Sequence, residues 1–146
     1  MGIFSSIFGG EKNEFLQKAF EIYQAGDHAQ SAEWFHKAAE QGVAEAQHNL
    51  GLMYADGHGV TQDFAQALKW IRKAAEQGYA EAQYNLGNMY REGRGVPKDY
   101  AQAVAWYHKA TELGHAWAQY SLGCMYNTGK GVAQDDAQAA EWFRKA

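Results

Sequence analysis

At 146 residues, with 47 % hydrophobic and 14 % aromatic residues and a formal charge of -4, the chain is too rich in core-forming side chains for a disordered segment and carries no basic footprint for nucleic acid. Its one cysteine, Cys124, cannot close an intramolecular disulfide, so nothing ties the fold to an oxidising compartment. No stretch approaches the roughly 18 consecutive apolar residues of a membrane span, the N-terminus lacks the basic start and long apolar core of a secretory signal, and the expected location is the cytoplasm.

Residues 1–12 form a short apolar tail. Ile3, Phe4, Ile7 and Phe8 recur there at helix-like spacing ahead of Gly9 and Gly10. Such a tail frays, lies against the first repeat, or docks on a partner. From Asn13 to Ala146 the chain is a single array without a linker: a short copy at 13–43, then full copies at 44–79, 80–115 and 116–146. The second and third copies share 21 of 36 aligned residues. Periods in this range predict a solenoid whose units bury their apolar faces only by stacking.

In the second copy, Ala46, Leu50, Met53 and Tyr54 recur at spacings of three and four, which predicts a helix from about Glu45 to Ala55. Gly57 ends it, as Gly26, Gly93 and Gly129 end its counterparts. A second helix starts at Asp63, with Asp27, Asp99 and Asp135 as equivalents. Each stands three residues before a glutamine, Gln66, Gln30, Gln102 or Gln138, in capping-box spacing. That helix carries Ala67, Trp70, Ile71 and Ala74 and ends at Gly78; its successor ends at Gly114. Alanines at the crossing permit close approach, so each copy reads as an antiparallel helical hairpin. Trp34, Trp70, Trp106 and Trp142 then form a ladder expected to fill the core between hairpins.

Features that could carry catalysis are weak. The turns Gly57 His58 Gly59, Gly93 Arg94 Gly95 and Gly129 Lys130 Gly131 lack the strand-turn-helix setting of a phosphate loop. The histidines at 28, 36, 48, 58, 108 and 115 show no paired metal-ligand spacing. Cys124 has no histidine beside it in register to activate the thiol. The expectation is a non-enzymatic chain with no cofactor and no metal.

The pattern AEAQYNLGxMYxxGxGVxxDYAxAxxWxxKAAExG resembles the Sel-1-like repeat family, relatives of the tetratricopeptide repeat with a longer loop between the two helices. Leu50, Gly51, Tyr54, Gly57, Gly59 and Ala67 carry it, with their counterparts 36 and 72 residues later. The first copy lacks five loop residues and is closer to an ordinary tetratricopeptide unit. The resemblance implies an all-α, right-handed superhelical solenoid acting as a protein-interaction scaffold, with the first helix of each hairpin lining a concave groove.

Positions that vary between copies on those first helices are then the candidate partner contacts. By register they are Glu45, Glu81 and Trp117; His48, Tyr84 and Tyr120; Leu52, Asn88 and Cys124; Arg91 and Asn127; and Asn49 with Asn85. Asparagine and tyrosine here can hydrogen-bond an extended peptide, Trp117 offers a rigid apolar surface, and Arg91 suits an acidic partner segment. The expected partner is a protein or peptide. Self-association through the last copy, where Trp142 and Phe143 have no following hairpin to cover them, is the alternative.

Overall fold

The computed structural model describes residues 10–146, with side chains from Glu14 onward. The described residues contain eight helices and no strand: α1 Gly10–Gln24, α2 His28–Glu40, α3 Ala44–Asp56, α4 Phe64–Glu76, α5 Ala80–Glu92, α6 Tyr100–Glu112, α7 Ala116–Thr128 and α8 Asp136–Lys145. This is the all-α helical-repeat fold expected from the sequence. Of the apolar tail, residues 1–9 lie outside the described residues, and α1 begins at Gly10. Two compact units divide the chain, Met1–Ala74 and Ala75–Ala146. Within the first, α1 packs on α2 and α2 on α3; within the second, α5, α6, α7 and α8 pack in succession.

The stops and starts follow from local chemistry. Gly57, Gly93 and Gly129 adopt left-handed angles, φ 67°, 70° and 70°, and their amides return to the carbonyls of Met53, Met89 and Met125. Asp27, Asp99 and Asp135 accept the backbone N–H of Gln30, Gln102 and Gln138 at 3.0, 3.1 and 3.0 Å, and Asp63 accepts those of Ala65 and Gln66. The reciprocal half of the capping box is replaced. The backbone N–H groups of Asp63, Asp99 and Asp135 donate to the carbonyls of Tyr54, Tyr90 and Tyr126, each at 2.9 Å. The aspartate thus closes the first helix of its hairpin through the main chain and opens the second through its side chain, and the glutamine side chain is not needed at that amide.

A second set of hydrogen bonds joins one hairpin to the next. The Gln47 side-chain amide donates to the Ala39 carbonyl at 3.1 Å in the first unit, and Gln83 donates to Ala75 at 3.2 Å in the second. Both glutamines are buried, at 5 % exposed. Each adds a second donor to a carbonyl in the last turn of the preceding helix, which already accepts the backbone N–H of Gly42 or Gly78 at 3.0 Å.

The core differs from the expected tryptophan ladder. Its deepest large residues follow the tryptophans: Phe35, Ile71 and Tyr107 are 2, 2 and 0 % exposed. Trp70 is buried, but Trp34, Trp106 and Trp142 are half-buried. Each carries a lysine three residues on, with Lys37, Lys73, Lys109 and Lys145 ammonium groups 4.2, 5.1, 4.5 and 4.6 Å from the ring centres. One helical turn places the cation over the ring, so the tryptophan forms a lid between core and water. Close approach at the crossing comes from glycine on the first helix as well as from the buried Ala67, Ala103 and Ala139 on the second. A Cβ on Gly87 would stand 2.7 Å from the Tyr107 ring, and one on Gly123 2.5 Å from the Phe143 ring. In the first hairpin, where the equivalent residue is Phe20, the crossing is an edge-to-face pair with Phe35 at 5.1 Å.

Candidate partner-binding site

The first helices carry two kinds of row. Leu50, Leu86 and Leu122 are 1, 0 and 0 % exposed and pin α3, α5 and α7 to their hairpins. Two residues earlier stand His48, Tyr84 and Tyr120, which are buried, half-buried and 49 % exposed in turn. Framework positions keep both identity and burial; the neighbouring positions change both.

In the first unit, Asn49 and Leu52 line a cleft of about 170 Å³ with Phe20, Tyr23, Asp56 and His58. Asn49 donates its side-chain N–H to the Glu45 carbonyl one turn back at 2.9 Å, which turns its donor inward to its own helix. His48 is packed rather than presented. Tyr23, His28 and His58 form a ring cluster, the two imidazoles 4.0 Å apart.

In the second unit the variable positions converge. His115 caps α7, its Nδ1 accepting the Ala118 N–H at 3.1 Å, which leaves Nε2 to meet the Glu81 carboxylate at 2.9 Å. The Tyr84 ring stacks on the same imidazole at 4.8 Å and 26°. One turn further along α7, Trp117 and Tyr120 meet edge to face at 6.3 Å, and Tyr120 rests on Phe143 at 5.5 Å. Trp117 is 66 % exposed. The Cys124 thiol hydrogen-bonds the Tyr120 phenol and raises it above its ordinary range. Asn88 is drawn inward by the Tyr107 hydroxyl, which donates to its side-chain oxygen at 2.5 Å. Burial pushes the Tyr107 phenol up to about 12 despite the nearby Arg91 guanidinium.

A cleft at the same place in the repeat as that of the first unit opens beside α7. It has a volume of about 330 Å³ and is lined by Arg91, Tyr100, Ser121, Cys124, Thr128 and Lys130 among others. Burial alone would lower the Arg91 guanidinium, but Tyr107 and Glu92 outweigh it and hold it above its ordinary value. The middle residue of the glycine turn explains that motif. Lys130 lies 5.4 Å from the Tyr100 ring, and a Cβ on Gly131 would stand 2.4 Å from the Tyr100 carbonyl oxygen. In the first unit, His58 sits on His28 and a Cβ on Gly59 would stand 2.3 Å from the His28 carbonyl oxygen. The glycines let the turn touch the start of the preceding hairpin's second helix.

Of the residues singled out from sequence, Glu81 and Tyr84 meet at His115, Trp117 and Tyr120 meet each other beside Phe143, and Arg91 and Cys124 share the cleft. Glu45 and Asn85 are half-buried and Asn127 is exposed. His115, Tyr100 and Lys130 were not among the candidate partner contacts, and Phe143 was named only for self-association. His115 was legible as a variable position, standing where Val43 and Tyr79 precede the earlier helices. Among the described residues no group of three or more His, Cys, Asp or Glu is arranged to hold a metal, and no helix is long and apolar enough to cross a membrane.

The chain is similar to several bacterial proteins of this architecture. A protective antigen of uropathogenic Escherichia coli strains with an SLR fold superposes with a TM-score of 0.90 at 42 % identity, over 93 % of this chain and 30 % of that one. A Sel1 repeat protein from Oxalobacter formigenes gives 0.86 at 35 % identity, over 92 % of this chain and 56 % of that one. Helicobacter pylori "Putative beta-lactamase HcpE" is 33 % identical over 57 residues, 39 % of this chain and 16 % of its own length. The chain therefore spans from about a sixth to a little over half of these relatives. The Sel1 repeat model matches residues 21–43, 44–79, 80–115 and 118–146, and with four matched segments over most of its length the chain belongs to the Sel1 repeat family.

Proposed function

We propose that this chain is a non-enzymatic interaction scaffold that holds a peptide or partner helix against its first-helix face. One observation carries the reading: Trp117 and Tyr120 are large aromatics at positions that vary between copies, exposed and held in edge contact beside a framework leucine that is fully buried. Rigid aromatics of this kind serve as binding anchors because they offer area at little conformational cost. The repeat family supplies the general setting of protein partners.

Catalysis has little support on this face. The hydrogen bond of the Cys124 thiol is to a phenol, whereas a thiol nucleophile is activated by an imidazole or another base. A cytoplasmic location accompanies this reading, since a lone thiol draws no benefit from an oxidising compartment. Self-association is a second reading, favoured by Phe143, which is 39 % exposed on α8 while its counterpart Tyr107 is fully buried.

Affinity capture from native lysate with the wild type, with Trp117→Ala/Tyr120→Ala and with Trp142→Ala/Phe143→Ala separates the two. Loss of the partner only in the first double variant supports the first-helix face. Loss only in the second, accompanied by a fall in molecular mass in solution, supports edge assembly.

A further inference from the structure

The cleft beside α7 has a definite charge. Arg91 and Lys130 line it, together with the Tyr100 ring, and among the described residues no carboxylate does. Lys98 lies on the same ring as Lys130, at 5.6 and 5.4 Å, which brings a third cation to its rim. Beside it Glu92 is shared: Arg91 reaches it at 3.1 Å and Arg94 at 2.8 Å. Glu92 and Asp99, which stands between Lys98 and Tyr100 in the chain, set two acids against two guanidinium and two ammonium groups, and the charged residues that line the cleft itself are Arg91 and Lys130, on a chain whose overall charge is -4.

The repeat does not require this. In the first unit the positions of Thr128 and Lys130 are held by Asp56 and His58, and that cleft closes around the same framework methionine. The cationic character therefore belongs to this copy. Its chemistry also suits a particular group. A guanidinium has five N–H donors in a planar fork, and the Glu92 contact occupies one nitrogen. The Thr128 hydroxyl is spent on the Cys124 carbonyl at 2.8 Å, so Arg91 and Lys130 supply the charged donors, and Cys124 and Met125 supply an apolar wall.

We propose that the Arg91 and Lys130 cleft receives the carboxylate of an aspartate or glutamate side chain from an acidic partner segment lying on α5 and α7. This rests on the partner-binding reading above and names the chemistry of the partner. The volume accommodates one acidic side chain, and the neighbouring Trp117 and Tyr120 surface would take the apolar residues that flank it.

Cys124 makes the test local, because it is the only thiol in the chain and lines the cleft. A fluorescent deca-glutamate peptide is titrated into the full chain at ~20 mM salt, where charge pairing is weakly screened, and Cys124 alkylation is timed with and without it. The peptide should bind and slow alkylation about threefold or more. Arg91→Gln/Lys130→Gln should weaken binding by about tenfold and remove the protection. Arg91→Glu/Lys130→Glu should transfer the preference to deca-lysine. Lys109→Glu, on the exposed side of α6, should change none of these. No binding, binding without protection of Cys124, or equal weakening by Lys109→Glu overturns the assignment. So does displacement by inorganic phosphate at much lower concentration than acetate at matched ionic strength, which would mark a phosphate site. A captured partner that is lost with Trp117→Ala but indifferent to Arg91 and Lys130 overturns this inference and leaves the scaffold reading standing; one indifferent to every one of these residues removes both.

Discussion

Leu122 and Tyr120 lie two residues apart on α7 and have opposite fates. Leu122 repeats a residue found at 50 and 86 and is buried in all three places, whereas Tyr120 stands where His48 and Tyr84 stand and is the most exposed of its row. A helix turns by about 100° per residue, so two steps carry the chain from a face that packing fixes in every copy to one that packing holds at His48 and leaves exposed at Tyr120. The difference separates what the repeat must keep in order to fold from what each copy can alter in order to recognise something.

The comparison breaks most directly at the framework. Leu122→Ala removes a fully buried side chain and should destabilise the chain by about 2 to 5 kcal/mol. Tyr120→Ala, two positions away, should stay within about 1 kcal/mol, losing its ring contacts with Trp117 and Phe143 and its exposed hydrogen bond with Cys124. Equal shifts in urea midpoint for the two would show that both rows are framework.

Gly131→Ala probes the turn that touches Tyr100. The residue sits at φ 74°, and its Cβ would meet a carbonyl oxygen at 2.4 Å, so a loss of about 1 to 3 kcal/mol is expected. Gly114→Ala also places a side chain at positive φ, 76°, but with nothing within 4 Å, and should cost less. Similar losses at the two sites would mean that the contact with Tyr100 contributes nothing beyond backbone strain. Asp99→Ala should cost about 1 kcal/mol by unpairing the Gln102 amide, and Gln102→Ala much less, because the Asp99 N–H is already held by Tyr90. Equal losses would restore the reciprocal box.

Tyr107 sharpens the contrast through pH. Its phenol is raised from 10.0 to about 12 in the folded chain, so on raising the pH the unfolded chain gives up this proton first. The stabilisation is complete below pH 10 and is lost between pH 10 and about 12. Tyr107→Phe should flatten that part of the stability profile, read by chemical denaturation at several pH values. An unchanged slope would show that the phenol is not the group responsible.

Much of this was legible because the governing interactions are local. The helix ends followed from Gly57, Gly93 and Gly129, and the starts from Asp27, Asp63, Asp99 and Asp135, since a left-handed turn and a side-chain cap depend on residues close in sequence. The partner of each Asp amide was not legible, because two acceptors compete for it and chain geometry decides. Tryptophan at fixed spacing suggested the filling of the core, and Trp70 lies in it, with Trp34 and Trp142 packed against the cores of their own units, but the smaller residue after each tryptophan, Phe143 excepted, lies deeper, as the indole and its lysine bridge core and solvent. The candidate face was partly legible: variation between copies picked out Trp117, Tyr120 and Arg91, but an Asn looks the same in sequence whether it faces a partner, as was expected of Asn88, or accepts from a buried tyrosine. Lys130 was hidden for a related reason. The glycines around it explained the turn, and its position over Tyr100 depends on how hairpins stack.

The central claim is that the variable face of the first helices, rather than the helical framework or the α8 edge, carries the binding. The direct test is the dissociation constant of a captured partner, measured by calorimetry for wild type, Trp117→Ala, Tyr120→Ala, Phe143→Ala and Lys109→Ala, all first shown to keep their helicity. Trp117→Ala and Tyr120→Ala should each weaken binding by about 1 to 3 kcal/mol, with Lys109→Ala unchanged and Phe143→Ala reduced only as far as Tyr120 loses support. Unchanged affinity for both aromatic variants, with binding abolished by Phe143→Ala, would contradict the claim.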